Sequence, residues 1–82
     1  MTFIRAIELG VPAFNRGDAD VCRAHYQTAV ETALMLSANH LSDDQIRQLR
    51  AALESAAIET DVEAAWTLRR AMDGVLTATA QR

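Results

Sequence analysis

The stretch IELGVPAFNRGD, residues 7–18, decides how many helices this chain of 82 residues forms. It places a glycine and a proline inside a segment whose apolar residues recur at intervals of three and four, the spacing of one helix face. These apolar residues keep the same phase on both sides of Pro12: Ile4, Ile7, Val11 and Phe14. We therefore predict one helix from about Thr2 to Asn15, kinked near Gly10 and Pro12, rather than two short helices.

The end of that stretch, NRGD, and two later segments carry signals for helix boundaries. Gly17 is suited to the left-handed backbone that ends a helix, and Asp18 is suited to cap the next one, predicted to reach about Ala38. SDDQ at residues 42–45 and TDVE at residues 60–63 each match a capping box, so they predict the starts of a third and a fourth helix. The fourth helix is expected to fray over TATAQR, at the end of the chain.

The apolar residues on one face of each later helix predict the rest of the core. They are Cys22, Tyr26, Ala29, Val30, Ala33, Leu34 and Leu36 on the second helix, Ile46, Leu49, Leu53, Ala56 and Ala57 on the third, and Val62, Ala65, Trp66, Leu68, Met72, Val75 and Leu76 on the fourth. No segment alternates as a strand would, and short loops favour antiparallel neighbours. The predicted fold is all-α: one domain over residues 1–82, a compact antiparallel four-helix bundle with a kinked first helix.

The composition and net charge of the chain argue against several classes of function. The net charge is −3, and all eight basic residues are arginine without any basic run, so we expect no binding to nucleic acid. No apolar run of membrane-spanning length occurs, and the polar start MTFIRAIELG does not resemble a secretory signal, so we expect no membrane partner. A single cysteine is typical of a reducing compartment, which favours the cytoplasm. Abundant alanine without lysine suggests a bacterial source with a GC-rich genome.

Cys22 and His25 lie one turn apart on the second helix, and His40 follows its end. Thiolate and imidazole are good ligands for zinc or copper, so one interpretation is a metal or small-ligand site in this region. The other interpretation places Cys22 in the apolar stripe as a small buried hydrophobe, and we favour it because a metal needs more ligands. A Cys–His nucleophile pair is disfavoured, because no glycine-rich loop or oxyanion hole accompanies it. No cofactor or metal is therefore predicted.

The segment AWTLRRAMD, residues 65–73, is the most distinctive part of the chain. Trp66 lies one helical turn before Arg69 and Arg70, and Asp73 is within reach of both arginines. Tryptophan and arginine are enriched among the residues that dominate protein–protein binding, so these three residues are the candidate partner-binding site. The structural alternative places Trp66 as a plug at one end of the bundle and pairs one arginine with Asp73.

Four acidic residues surround the predicted turn between the third and fourth helices: Glu54, Glu59, Asp61 and Glu63. Paired carboxylates can serve acid–base chemistry or bind a hard cation. The spacing does not match an EF-hand, and two of these acids are accounted for by helix capping. We therefore interpret the cluster as a solvated turn.

The segment from Ala6 to Leu34 resembles the first helical hairpin of tetratricopeptide-like and microtubule-interacting-and-trafficking-like scaffolds. The resemblance rests on a small residue and an aromatic before a Gly-Asp turn, then Tyr and Ala on the returning helix: Gly10, Phe14, Gly17, Asp18, Tyr26 and Ala29. It covers about a third of the chain, and the second half lacks another copy of the motif. The whole chain is also similar to small helical modules beside bacterial effector and signalling domains, which implies an adaptor role.

These observations favour a non-catalytic protein–protein interaction module, an adaptor or accessory domain acting through its helix faces. The alternative is a small-ligand or metal-binding bundle that uses the Cys22 and His25 region, and a small helical enzyme comes third. The partner is expected to be another protein or a second copy of the chain. Four alanines on the third helix would support close packing in such a homodimer: Ala51, Ala52, Ala56 and Ala57.

Overall fold

A computed structural model describes residues 3–80, without the side chains of residues 38, 79 and 80. Within that range the chain forms four α-helices, one short 3-10 helix and no strand. The helices are α1 (Phe3–Asn15), α2 (Ala19–Leu36), α3 (Asp43–Ala56) and α4 (Asp61–Ala80), and the 3-10 helix is Ala38–His40. The all-α prediction and the four-helix count are confirmed. Helix α1 continues across Pro12, as its unbroken apolar phase predicts.

Helices α2 and α4 lie at the centre of the bundle, with α1 packed on α2 and α3 packed on α4. Arg23, near the start of α2, donates to Asp61 at the start of α4 (2.9 Å) and to the carbonyl of Ala56 at the end of α3 (2.8 Å). The central helices therefore run in the same direction, and each outer helix runs antiparallel to its neighbour across a short turn. Because α1 and α4 touch at only a few residues, a groove remains between them.

The core is built largely from small side chains. Seven of its fifteen buried hydrophobic residues are alanine, which lets the helix axes approach closely. The buried set is Phe3, Ala6, Ala13, Cys22, Tyr26, Ala29, Val30, Leu49, Ala52, Ala56, Ala64, Ala65, Leu68, Met72 and Val75. Among the described residues, no charged side chain is fully buried.

The predicted inner face of α1 is wrong by about one residue. Ile4 and Val11 are exposed, whereas Ile7 and Phe14 are partly buried against the core. The buried residues of α1 are Phe3 at its start, followed by the small residues Ala6, Gly10 and Ala13. The physical reason is the close approach of α1 and α2: only small side chains fit on the line of contact, so the larger ones flank it.

The later helices need similar corrections near their ends. Leu36 ends α2 and is exposed, Ala57 lies just beyond α3 and is exposed, and Val62 and Trp66 are about half exposed on α4. These residues match the apolar periodicity, but no neighbouring helix covers them there. Ala64 is buried although the predicted stripe omits it. Helix α4 also extends through residues 77–80, where fraying was predicted, while residues 81 and 82 lie outside the described range.

Most of the predicted helix boundaries are formed by the expected interactions. Gly17 has a φ of 88°, and the amide of Asp18 donates to the carbonyl of Ala13 (2.9 Å), which closes α1 in a Schellman-type turn. Ser42 with Gln45 and Thr60 with Glu63 form the two capping boxes. Asp18 is the exception, since it occupies the cap position of α2 without a side-chain cap and pairs with Arg16 instead (3.5 Å).

No described helix combines the length and the apolar character that crossing a membrane would require.

Candidate functional site

A groove between α1 and α4 lies beside the predicted site, and α2 forms its floor. Its volume is about 360 Å³. Its lining residues are Val11, Phe14 and Asn15 from α1, Cys22 and Tyr26 from α2, and Ala65, Trp66 and Arg69 from α4. We call it the α1–α4 groove. It exists because both α1 and α4 pack on α2 while hardly touching each other.

An aromatic pair joins the two sides of the groove. The rings of Phe14 and Trp66 meet edge to face, with centroids 5.7 Å apart and an angle of 73° between the planes. That arrangement is a favourable one for two rings. Trp66 nevertheless remains 51% exposed, so the prediction that it lies in the core is wrong. Its alternative role, in which the ring closes one end of the bundle, is only partly fulfilled.

The floor of the groove holds a small polar cluster in otherwise apolar surroundings. The Tyr26 hydroxyl interacts with both the Cys22 thiol and the Arg69 guanidinium. Burial raises the pKa of the Cys22 thiol, and this effect outweighs the opposing influence of Tyr26 and Arg69. Burial and the neighbouring thiol also raise the pKa of Tyr26. Both groups therefore stay protonated and neutral near neutral pH.

Arg69 and Arg70 have different surroundings although they are adjacent in sequence. Arg69 points into the groove, and its Nε donates to both carboxylate oxygens of Asp73 at 3.1 and 3.2 Å. Burial alone would lower the pKa of Arg69, but Asp73 and Tyr26 more than compensate, so the pKa lies above its usual value. Arg70 is exposed and has no ion pair within residues 3–80. The pairing of one arginine with Asp73, considered from the sequence, is present and involves Arg69.

Val62, Trp66 and Arg70 follow each other at intervals of four along α4, so they share one face of that helix. We call this the outer α4 face. All three residues are exposed, with Val62 at 49% and Trp66 at 51%. Of the three predicted partner-binding residues, Trp66 and Arg70 therefore lie together on this face, whereas Arg69 lies in the wall of the groove.

The residues of the metal alternative are not brought together. Cys22 is buried in the groove floor, His25 is half-buried on α2, and His40 is exposed beyond the end of that helix. No group of three or more His, Cys, Asp or Glu side chains converges as a metal site within the part of the chain that the structure describes. The metal alternative therefore lacks a ligand set there.

The acidic residues around the α3–α4 turn are used in structural contacts. Glu63 belongs to the capping box, Asp61 holds Arg23, and Glu59 accepts a hydrogen bond from the Thr67 hydroxyl (3.1 Å). Glu54 is exposed on α3. The other carboxylate oxygen of Glu59 is buried without a partner. These contacts agree with a structural turn, although Glu59 is less solvated than we expected.

Sequence reasoning missed the groove and the part played by Tyr26 and Gly10 in forming it. A signal was present in the spacing of Ala6, Gly10 and Ala13, which are small residues at intervals of four and three. Such a stripe indicates a close helix contact, and a close contact between α1 and α2 displaces the larger residues of α1 towards the groove.

Comparison with protein-family models, with curated proteins and with solved structures finds no match for this chain.

Proposed function

We propose that this chain is a non-catalytic protein–protein interaction module that binds its partner through the outer α4 face. The observation that carries the proposal is the exposure of Trp66. A large aromatic residue left half uncovered beside an exposed Val62 forms an apolar patch on the surface of a small protein. Exposed apolar patches of this kind are typical of binding surfaces.

Arg70 supplies the directional part of the proposed interface. It lies one turn beyond Trp66 on the same face, is exposed, and has no ion pair among the described residues. Its guanidinium is therefore free to bind a carboxylate of a partner, which is the geometry that arginine favours. Arg69 contributes indirectly, because its bonds to Asp73 keep that carboxylate occupied. The proposed partner presents an apolar patch with an acidic residue beside it.

The neutral thiol of Cys22 supports the non-catalytic part of the proposal. A nucleophilic cysteine is normally a thiolate held by cationic neighbours, and burial has the opposite effect here. The proposed partner is another protein, as expected of an adaptor in the bacterial cytoplasm, or a second copy of the chain. The alanines of α3 give little support to self-association through that helix, since Ala52 and Ala56 are used inside the core.

The test is a comparison of Arg70→Glu with Arg50→Glu, an equal charge reversal at an exposed site on α3. Binding partners are captured from the source cells with the wild-type protein and both variants, and the native mass of each is measured. Arg70→Glu is expected to lower partner affinity or self-association by more than about 2 kcal/mol, as at an interface hot spot. Arg50→Glu is expected to bind as the wild type does.

Helicity and melting temperature are measured for each variant, because both substitutions are at exposed sites and are expected to change stability by less than about 0.5 kcal/mol. Equal binding by wild type and Arg70→Glu would overturn the assignment of the outer α4 face. A wild-type protein that is monomeric and captures no partner would overturn the proposed function itself.

A further inference from the structure

The α1–α4 groove has the size and lining of a small-molecule site. Pockets for small ligands begin at about 300 Å³ and combine apolar walls with a few converging polar groups. The groove has a volume of about 360 Å³. At the roughly 30 Å³ that one water molecule occupies in the liquid, this volume accommodates about a dozen non-hydrogen atoms.

We propose that the α1–α4 groove binds a small amphipathic monocarboxylate, with its apolar body between α1 and α4 and its carboxylate on Arg69. The apolar body would lie against Val11 and Phe14 on one side and Ala65 and Trp66 on the other. These residues surround the floor made by α2. The inference does not depend on the proposed protein partner.

The carboxylate is assigned to Arg69 because of how that side chain is held. Asp73 binds only Nε, which leaves the two terminal nitrogens outside the ion pair. Those nitrogens carry four of the five guanidinium N–H donors. Asp73 and Tyr26 together orient the guanidinium in the groove wall, so little conformational entropy is lost on binding. A carboxylate matches the guanidinium fork better than other common groups do.

The charged lining of the groove favours a ligand with a single carboxylate. Arg69 is the one charged residue among those that line the groove, and it offers a single guanidinium. Asp73 engages this guanidinium only through Nε, so one carboxylate can bind its terminal nitrogens. The thiol and phenol of the floor are neutral, so neither adds repulsion. The ligand class is therefore an aliphatic or aromatic acid of about a dozen non-hydrogen atoms.

The experiment uses octanoate as the probe and octanol as a neutral control of similar size. Trp66 is the only tryptophan, so its fluorescence reports binding in the groove directly, and backbone NMR shifts locate the site. Octanoate is expected to bind at least about ten-fold more tightly than octanol, the factor given by one hydrogen bond to a charged group. The shifted signals are expected to come from the groove lining.

Arg69→Gln and Arg70→Gln are the matched pair of variants. Arg69→Gln is expected to remove the preference for octanoate, while Arg70→Gln keeps most of it. Val11→Phe provides an independent test, because it fills the mouth of the groove from α1 and leaves the polar floor unchanged. It is expected to abolish octanoate binding, and it keeps the proposal testable even if Arg69→Gln fails to fold.

Several results would overturn the proposal: no binding of octanoate, equal binding of octanol, shifts confined to another surface, or unchanged octanoate affinity in Val11→Phe or a folded Arg69→Gln. The test is separable from that of the protein partner. Arg70→Glu is expected to lose the partner and still bind octanoate, although more weakly than the wild type. Arg69→Gln is expected to lose octanoate selectivity and still bind the partner.

Discussion

The ring of Tyr26 lies directly on the bare Cα of Gly10. A Cβ atom built on Gly10 would come within 2.5 Å of the Tyr26 Cε1 and 2.9 Å of its Cζ, closer than real atoms approach. Tyr26 is 3% exposed and its hydroxyl is engaged with Cys22 and Arg69, so the ring has no easy way to move. This contact sets the spacing of α1 and α2, and thereby the position of the groove.

Gly10→Ala is therefore expected to destabilise the protein, although alanine is the better helix former. The clash is expected to cost about 1–3 kcal/mol, as for overpacking in a core. The higher helix propensity of alanine offsets about 1 kcal/mol of this cost. The net loss is measured as a lower free energy of unfolding in urea.

Gly74→Ala is the matched control for that substitution, since Gly74 is exposed on α4 and its nearest neighbour would lie 3.8 Å from the new Cβ atom. It is expected to stabilise the protein by about 0.5–1 kcal/mol. If both glycine substitutions stabilise the protein equally, Tyr26 is not fixed against Gly10 and the stated cause of the groove is wrong.

Pro12→Ala is expected to preserve the fold and to increase stability by about 1–3 kcal/mol. Pro12 is exposed within a continuous helix, so its ring adds no core contact while its missing N–H leaves one helical hydrogen bond unmade. Urea unfolding and far-UV circular dichroism measure the change. Lower stability of the variant would show that the proline ring makes a favourable contact.

Thr60→Ala is expected to lower the free energy of unfolding by about 1 kcal/mol, the usual effect of losing a helix cap. The Thr60 hydroxyl accepts a hydrogen bond from the Glu63 amide (3.3 Å), and the Glu63 carboxylate accepts one from the Thr60 amide (3.3 Å). Thr60→Ser keeps the hydroxyl and serves as the control, with stability close to that of the wild type. Equal losses in both variants would assign the effect to the lost methyl group.

The stability of the protein is expected to fall as the pH rises above 9, because the folded state raises the pKa of Cys22 above its ordinary value of 9.0. The unfolded chain then releases the thiol proton at a pH where the folded protein retains it, so each step in pH favours unfolding. Below that pH the thiol is protonated in both states and contributes no slope. Tyr26 adds a second decline above its ordinary value of 10.0.

Urea unfolding of wild type and Cys22→Ala at a series of pH values measures this effect. Cys22→Ala is expected to lack the decline in stability that Cys22 causes above pH 9 and to keep the decline that Tyr26 causes above pH 10, whatever its stability at neutral pH. An identical slope in the two proteins between pH 9 and pH 10 would show that Cys22 ionises as readily in the folded state as in the unfolded chain.

The local features of this protein were readable from its sequence. Ser42 with Gln45 and Thr60 with Glu63 form their capping boxes, and Gly17 takes the left-handed conformation that ends α1. These interactions join residues three or four positions apart, so the chain can form them wherever the helix lies. The predicted capping role of Asp18 is wrong, since its side chain makes no cap hydrogen bond and pairs with Arg16.

Which face of each helix lies inside depends on the neighbouring helix, and periodicity alone does not contain that information. Ile4 and Val11 follow the apolar phase of α1, yet both are exposed because Gly10 faces Tyr26 on α2. Two faces of α1 carry residues at intervals of three and four: one bears large apolar side chains and the other bears mainly small ones. The close contact between α1 and α2 requires the face with the small residues to lie inside.

The sequence by itself determined the four helices, most of their boundaries and the absence of a strand within residues 3–80, because hydrogen bonding, capping and apolar periodicity act over a few residues. Only the tertiary structure decided that Arg69 faces the groove with Asp73 while Arg70 faces solvent beside Trp66. Adjacent residues on a helix differ in direction by about 100°, and the packing of α4 against α2 determines which direction is inward. The groove likewise arises from the arrangement of three helices, which no single segment encodes.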